Sequence, residues 1–159
     1  MGFLDNVLKV FVGDKSKKDL GELQPLVDEI KQHEAALEKL SLDELRSKSY
    51  RFREIIKEDQ KEIQTEIDTL QKEADLVEDI DKKEDIYNRI DALKKDQYEI
   101  EKETLLKILP EAFAVVKETA KRFRDNNNLT VTASAFDRDI SGTKAYVSLD
   151  GDKAIWKNS

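Results

Sequence analysis

Residues 56–77 read IKEDQKEIQTEIDTLQKEADLV, and the pattern of this stretch indicates the fold of the central part of the chain. Its apolar residues recur every seven positions, with further apolar residues between them, which is the heptad pattern of a coiled-coil helix. The recurring positions are Ile56, Ile63, Leu70 and Val77, and the alternate positions are Ile67 and Ala74. No glycine or proline interrupts the stretch, so it predicts a long helix with one apolar seam.

A second seam follows, with spacings of four and three residues. Its members are Ile86, Ile90, Leu93, Gln97, Ile100 and Thr104. The polar segment DIDKKED, residues 79–85, separates the two seams. Two seams of similar length around a polar break predict an antiparallel helical hairpin. The residues expected to face each other are Ile63, Ile67 and Leu70 on the first arm and Ile90, Leu93 and Ile100 on the second.

Shorter amphipathic helices are expected on both sides of the hairpin. Residues 2–12, GFLDNVLKVFV, place Phe3, Leu4, Val7, Leu8 and Phe11 on one helical face. A second helix is expected over about residues 16–40, and Ser41 with Glu44 forms a capping box that starts the next one.

The second arm of the hairpin is expected to end at Leu109, because the residue before a proline avoids the helical backbone region. Pro110 then opens a separate helix over residues 109–123, LPEAFAVVKETAKRF. This helix carries Phe113, Val116 and Ala120 on one face.

After Phe123 the pattern changes from helix to strand. Residues 129–133 alternate in strand fashion, and residues 145–149 and 153–156 flank Asp150-Gly151, a hairpin-turn signal. The sequence therefore predicts a mainly α chain that carries a long antiparallel coiled-coil hairpin and a small C-terminal β-hairpin element.

Composition excludes several classes of function. The net charge is −7, and residues 57–107 hold 17 acidic and 10 basic residues, so the excess lies on the hairpin. Nucleic-acid binding is not expected, because no basic stripe is present to neutralise phosphates. The absence of cysteine excludes disulfides and thiolate metal sites. No apolar run is long enough to cross a bilayer.

The residue types that carry chemistry form no recognisable active site. His33 is the single histidine and adjoins Glu34, so the two side chains project in different directions from a helix. No glycine-rich phosphate loop is present. The C-terminal carboxylates do not have the spacing of a calcium loop, and turn chemistry explains them; they are Asp137, Asp139, Asp150 and Asp152. We therefore predict no catalytic, cofactor-binding or metal site in the chain.

Three blocks in order resemble the N-terminus of the SecA family of preprotein translocase ATPases. The first is the short apolar helix of residues 2–12. The second, residues 23–55, reads LQPLVDEIKQHEAALEKLSLDELRSKSYRFREI and contains a Leu-Ser-x-x-Glu-Leu step and the pair Phe52-Arg53. The third is the Pro-Glu-Ala-Phe-Ala-Val-Val helix at residues 109–123. Together the blocks cover about 60 residues, and the third is the most specific.

The resemblance implies a division into four parts. Residues 1–56 correspond to the N-terminal helices of a motor domain, and residues 109–124 to a further helix of it. Residues 57–108 and 125–159 look like two insertions, a helical hairpin and a small β element that we expect to be incomplete. In the full-length parent these parts precede a RecA-like α/β motor domain.

The resemblance also implies a function for the parent. A SecA-like parent couples ATP hydrolysis, with Mg²⁺, to export of unfolded preproteins through the SecYEG channel. This chain lacks the phosphate loop, so no catalytic residue carries over, and it is expected to be a non-catalytic scaffolding and contact piece. It would act in the cytoplasm, peripherally on the inner face of the cytoplasmic membrane.

Within the chain, the family's membrane-contacting helix maps onto the first block. Its expected partners are acidic phospholipid, the SecYEG channel and a second protomer. The residues that would make these contacts are Phe3, Leu4, Val7, Leu8, Lys9 and Phe11.

Two other interpretations of the function remain open from the sequence. One is a stand-alone helical-hairpin binding module or chaperone. The other is a structural coiled coil that dimerises through its seams.

Overall fold

The computed structural model describes residue 21 and residues 23–158. Within these residues the chain forms five helices and one sheet of three strands. The helices are α1 (residues 23–37), α2 (Leu42–Asp59), α3 (Lys61–Leu76), α4 (Ile80–Asp125) and α5 (Ala135–Ser141). The strands are β1 (Asn128–Thr132), β2 (Val147–Asp150) and β3 (Lys153–Lys157). The expected mainly α chain with a small C-terminal β element is confirmed.

The chain divides into two compact units, and α4 contributes residues to both. The hairpin unit covers Asp43–Ala112, and the second unit combines the residues up to Leu42 with those from Phe113 onward. These limits differ from the sequence-based limits at residues 57 and 108.

The hairpin unit is an antiparallel pair in which α2 and α3 run along α4. Its apolar core consists of Ile67, Leu70, Ala74, Ile86 and Ile90, with Ile63, Val77 and Leu93 packed against it. The predicted pairing of the two seams is confirmed for Ile63, Ile67 and Leu70 with Ile90 and Leu93. Ile100 is half-buried and does not belong to this core.

Polar contacts continue the seam away from the turn. The Gln97 Nε2 atom donates to Gln64 Oε1 at 2.8 Å, and the buried Thr104 hydroxyl donates to Asp59 Oδ2 at 2.8 Å. A hydrogen bond that fixes both partners also fixes the register of two helices. These two pairs therefore align α2 and α3 with α4 where apolar contacts alone would permit sliding.

The first arm is not one helix, as predicted, but two. Helix α2 ends at Asp59 and α3 begins at Lys61, and Gln60 between them keeps near-helical angles of φ −92° and ψ −7°. The start of α2 at Leu42, directly after Ser41, agrees with the position of the predicted capping box.

The connection between the arms is shorter than predicted and lies earlier in the chain. Only residues 77–79 are non-helical, and α4 already begins at Ile80. The expected break at residues 79–85 is therefore wrong. The Asp79 carboxylate explains the early start, because its Oδ1 accepts from the amides of Asp81 at 3.1 Å and Lys82 at 3.3 Å. An aspartate that caps free amides begins a helix regardless of the polar residues that follow.

The predicted helix end at Leu109 is also wrong, since α4 continues through Pro110 to Asp125. A proline inside a helix costs about 3 kcal/mol, because it removes one hydrogen bond and crowds the preceding turn. Here Pro110 is buried, and buried residues lie on both sides of it, at Thr104 and Ala114. We attribute the continuous helix to this packing, which offsets the local cost.

The C-terminal sheet has the order β1-β3-β2, with both pairings antiparallel. Its register pairs Leu129 with Trp156 and Val131 with Ala154. The two-residue loop between β2 and β3 begins with Gly151, whose φ of +59° lies in the region that glycine adopts without strain. The predicted hairpin at this point is confirmed.

Helix α5 was not predicted, and a buried carboxylate secures it. The Asp137 side chain accepts from the Ser134 amide at 2.7 Å and the Ser134 hydroxyl at 2.8 Å, while the Asp137 amide donates back to Ser134 Oγ at 3.2 Å. This is a reciprocal capping box. The other oxygen, Oδ1, accepts from the Trp156 indole at 3.1 Å, so Asp137 ties α5 to β3.

Replacing Leu70 by Asp tests the hairpin core. The change places a charge without a partner among apolar side chains, so we expect a loss of about 4 kcal/mol or more in the free energy of unfolding. Leu76→Asp, on the same helix at an exposed position, is the matched control and should leave the melting temperature nearly unchanged. Equal melting temperatures for the two variants would contradict this packing.

Replacing Asp137 by Asn tests the link between α5 and the sheet. We expect a loss of about 1–3 kcal/mol, because an amide cannot accept at both oxygen positions and leaves buried donors unpaired. Trp156 is the sole tryptophan, so unfolding of this region can be followed by its fluorescence. Asp139→Asn, at an exposed position on the same helix, is the control, and an equal effect of both changes would refute the assigned role.

Candidate functional site: the C-terminal half of α4

The residues of α4 from Phe113 onward present two different faces. Ala114 and Glu118 are buried, and the four-residue step places them on one side of the helix together with Arg122. Phe113, Val116 and Ala120 lie on the other side and are exposed. One face contacts α1 and the other is exposed to solvent.

The buried face holds the C-terminal end of α1. The Arg122 Nη2 atom donates to the carbonyl of Leu37 at 2.9 Å, and the Arg122 Nε atom donates to Glu118 Oε1 at 2.8 Å. Leu37 is the last helical residue of α1, and its carbonyl also accepts from the Leu40 amide at 3.1 Å, so Arg122 supplies a second donor at this helix end. A cation at a helix C-terminus also interacts favourably with the helix dipole. Arg122 therefore caps α1 and neutralises a buried carboxylate.

Two ion pairs extend this contact along the same helices. Lys117 Nζ lies 2.6 Å from Glu34 Oε1, and Lys121 pairs with Glu38. The hydrogen bond and charge of Lys121 lower the pKa of Glu38, and the hydrogen bond that Lys121 donates to Glu38 raises the pKa of Lys121. The pair therefore stabilises the fold between these two pKa values and loses its effect as Glu38 is protonated in acid or Lys121 is deprotonated in base. Because both groups are exposed, salt screens the effect.

The opposite face carries large apolar side chains in solvent. Phe113 is 56% exposed and Val116 is 66% exposed. An exposed phenylalanine one helical turn from an exposed valine is an apolar patch suited to packing against another protein surface. The arrangement is suited to binding another surface.

The residues that the sequence proposed for membrane or partner contact lie outside the described residues, so the structure does not place them. They are Phe3, Leu4, Val7, Leu8, Lys9 and Phe11. His33 is half-buried on α1. Within residue 21 and residues 23–158, no group of three or more histidine, cysteine or carboxylate side chains could hold a metal ion.

No helix in the described part of the chain has both the length and the apolar character needed to cross a membrane.

Sequence reasoning placed Phe113, Val116 and Ala120 on one face, but it missed the role of Glu118 and Arg122. The available signal was that the two residues carry opposite charges and lie four positions apart on the helix. It could not show that the pair is buried, since the same spacing is common on exposed helix surfaces.

Replacing Arg122 by Ala tests the attachment of α1 to α4. We expect a loss of about 3 kcal/mol, because Glu118 would remain nearly buried with only Lys121, 3.8 Å away, and the hydrogen bond from Arg122 to the Leu37 carbonyl would be lost. Amide hydrogen exchange in α1 should become faster. Arg124→Ala removes the same charge from an exposed pair with Asp125 and should leave α1 protected. Unchanged exchange in both variants would show that Arg122 does not hold α1.

Comparison of the sequence with known proteins identifies related chains. A family model described as the SecA DEAD-like domain matches residues 8–150. The protein translocase subunit SecA of Christiangramia forsetii is 58% identical over 159 residues, and that of Flavobacterium psychrophilum is 53% identical over the same length. The SecA subunit of Bacteroides fragilis is 39% identical over 158 residues. No solved structure matches the chain.

These alignments include nearly the whole of this chain but a small part of each relative. They cover 99–100% of this chain but 14% of each relative, so the chain spans about one seventh of their length. They also include the hairpin unit and the C-terminal sheet, so the three relatives share these segments with the chain. With a family model over most of its length and relatives of this identity over all of it, the chain belongs to the SecA family.

Proposed function

We propose that the chain is a non-catalytic part of a SecA-type translocase, whose full-length form couples ATP hydrolysis to export of unfolded preproteins through the SecYEG channel. The observation that carries this proposal is the match of the SecA DEAD-like domain model to residues 8–150. Identity to translocase subunits over the whole chain supports it.

The chemistry of ATP hydrolysis is assigned to other parts of the full-length protein. Phosphoryl transfer needs a phosphate-cradling loop, carboxylates for Mg²⁺ and cations for the developing charge. The five glycines of this chain stand apart from one another, at positions 2, 13, 21, 142 and 151, and none forms such a loop. ATP and Mg²⁺ would therefore be held by residues outside this chain.

The role proposed for the chain is scaffolding. Arg122 joins α1 to α4, and this leaves Phe113 and Val116 facing outward. Burying a side chain of this size is worth about 1.5–3 kcal/mol, which is sufficient to help position a neighbouring domain. We propose that the exposed face of α4 packs against the remainder of the motor.

Contact with the membrane is assigned to residues 2–12. Their apolar face and Lys9 would bind the acidic phospholipid surface, the SecYEG channel or a second protomer. The protein would then act in the cytoplasm, at the inner face of the cytoplasmic membrane.

The proposal is tested with the full-length protein and vesicles that contain SecYEG and acidic phospholipid. We expect ATP-dependent import of a preprotein, and no ATP hydrolysis by the 159-residue chain alone. Full-length protein that neither hydrolyses ATP nor moves preprotein would refute the proposed function.

Two variants locate the contributions of this chain in the same assay. Phe113→Ser combined with Val116→Ser should lower transport, because an interdomain contact is lost; Tyr98→Ser, at an equally exposed site on the hairpin, should not. Deletion of residues 2–12 should weaken association with the vesicles. Full transport by the double variant would remove the scaffolding role of the face.

A further inference from the structure

The turn of the hairpin unit exposes two large aliphatic side chains. Leu76 is the last residue of α3 and Ile80 is the first of α4, so they flank the three-residue connection. Leu76 is 84% exposed and Ile80 is 79% exposed, the highest values among the large apolar residues that the structure describes. Tyr87, also exposed, lies two helical turns from Ile80 on the same side of α4.

These two side chains are not needed to form the turn. Val77 packs against the hairpin core, and the carboxylate of Asp79 starts α4. Leu76 and Ile80 are outside that core, so polar residues at both positions would leave its packing unchanged. Single exposed leucines are ordinary on protein surfaces, but two aliphatic side chains on either side of one turn form a small apolar tip.

The surroundings of this tip are strongly acidic. Residues 73–85 contain two lysines, Lys82 and Lys83, against seven carboxylates, which are all exposed. The carboxylates are Glu73, Asp75, Glu78, Asp79, Asp81, Glu84 and Asp85. A partner that covers Leu76 and Ile80 must therefore bring positive charge close to the tip.

We propose that the hairpin tip docks a basic, apolar segment of a partner protein. Aliphatic side chains of that segment cover Leu76 and Ile80, and its lysine or arginine residues pair with the carboxylates around them. Like charge disfavours a second copy of the tip, and it also disfavours an anionic membrane surface. Only a few side chains take part, so the contact is weak, transient and sensitive to salt.

The test uses the 159-residue chain and a fluorescent synthetic peptide of lysine and leucine, with leucines at helical spacing. A peptide of the same pattern with glutamate in place of lysine is the charge control. Fluorescence anisotropy should detect binding of the lysine peptide, weakening as salt is raised, and no binding of the glutamate peptide. Absence of binding by the lysine peptide, or equal binding of both, overturns the proposal.

Variants distinguish the tip from the rest of the hairpin. Leu76→Ser combined with Ile80→Ser should weaken binding about tenfold or more, since the burial of at least one aliphatic side chain is lost. The matched control combines Tyr98→Ser and Leu106→Ser, at exposed positions away from the turn. All four positions are exposed, so melting temperatures should be unchanged. Equal weakening in the two variants overturns the assignment to the tip.

A second pair of variants separates local charge from net charge. Glu78→Lys with Glu84→Lys reverses charge at the tip, while Glu101→Lys with Glu103→Lys makes the same change of net charge farther along α4. Only the first should weaken binding strongly. Comparable weakening in both would show that the peptide responds to the overall charge of the hairpin and would overturn the proposal.

Discussion

The apolar seam between α3 and α4 is the interaction on which the hairpin unit depends. Leu70 and Ile90 belong to one continuous buried core, and this core turns two highly charged helices into a defined pair. Outside the seam, the hairpin surface is charged and contributes little to cohesion, because exposed ion pairs such as Arg89 with Glu66 are screened by water. A pair of helices held along one narrow stripe needs additional contacts to fix its register. The hydrogen bond between Gln64 and Gln97 is one of them.

The second unit is stabilised by different means. Among the described residues, a buried charge pair with a helix cap joins α1 to α4. Arg122 serves both purposes, since it neutralises Glu118 and donates to the Leu37 carbonyl. In the C-terminal segment Asp137 acts similarly, by capping α5 and accepting from Trp156. Each of these polar side chains has several partners, which is the condition under which a buried charge is tolerated.

The surfaces left exposed suggest where the chain meets other molecules. The face of α4 with Phe113 and Val116 is apolar, whereas the hairpin tip with Leu76 and Ile80 is apolar within an acidic surround. An apolar face suits permanent packing within one protein, and an apolar tip rimmed by charge suits reversible recognition. These are the two surfaces proposed above for scaffolding and for recognition.

The sequence by itself determined the paired helices, the β-hairpin and the resemblance to SecA. Heptad spacing, the Asp150-Gly151 signal and the residues of the 109–123 block are local patterns. Such patterns can be recognised without knowledge of the tertiary contacts. The tertiary structure alone decided that α4 runs through Pro110, because burial on both sides of the proline outweighs a local preference to stop. It also decided which face of α4 is buried, since the face with Ala114, Glu118 and Arg122 meets α1 while the more apolar face stays exposed. Hydrophobic pattern predicts that a face will be covered, but only the position of the neighbouring elements determines what covers it.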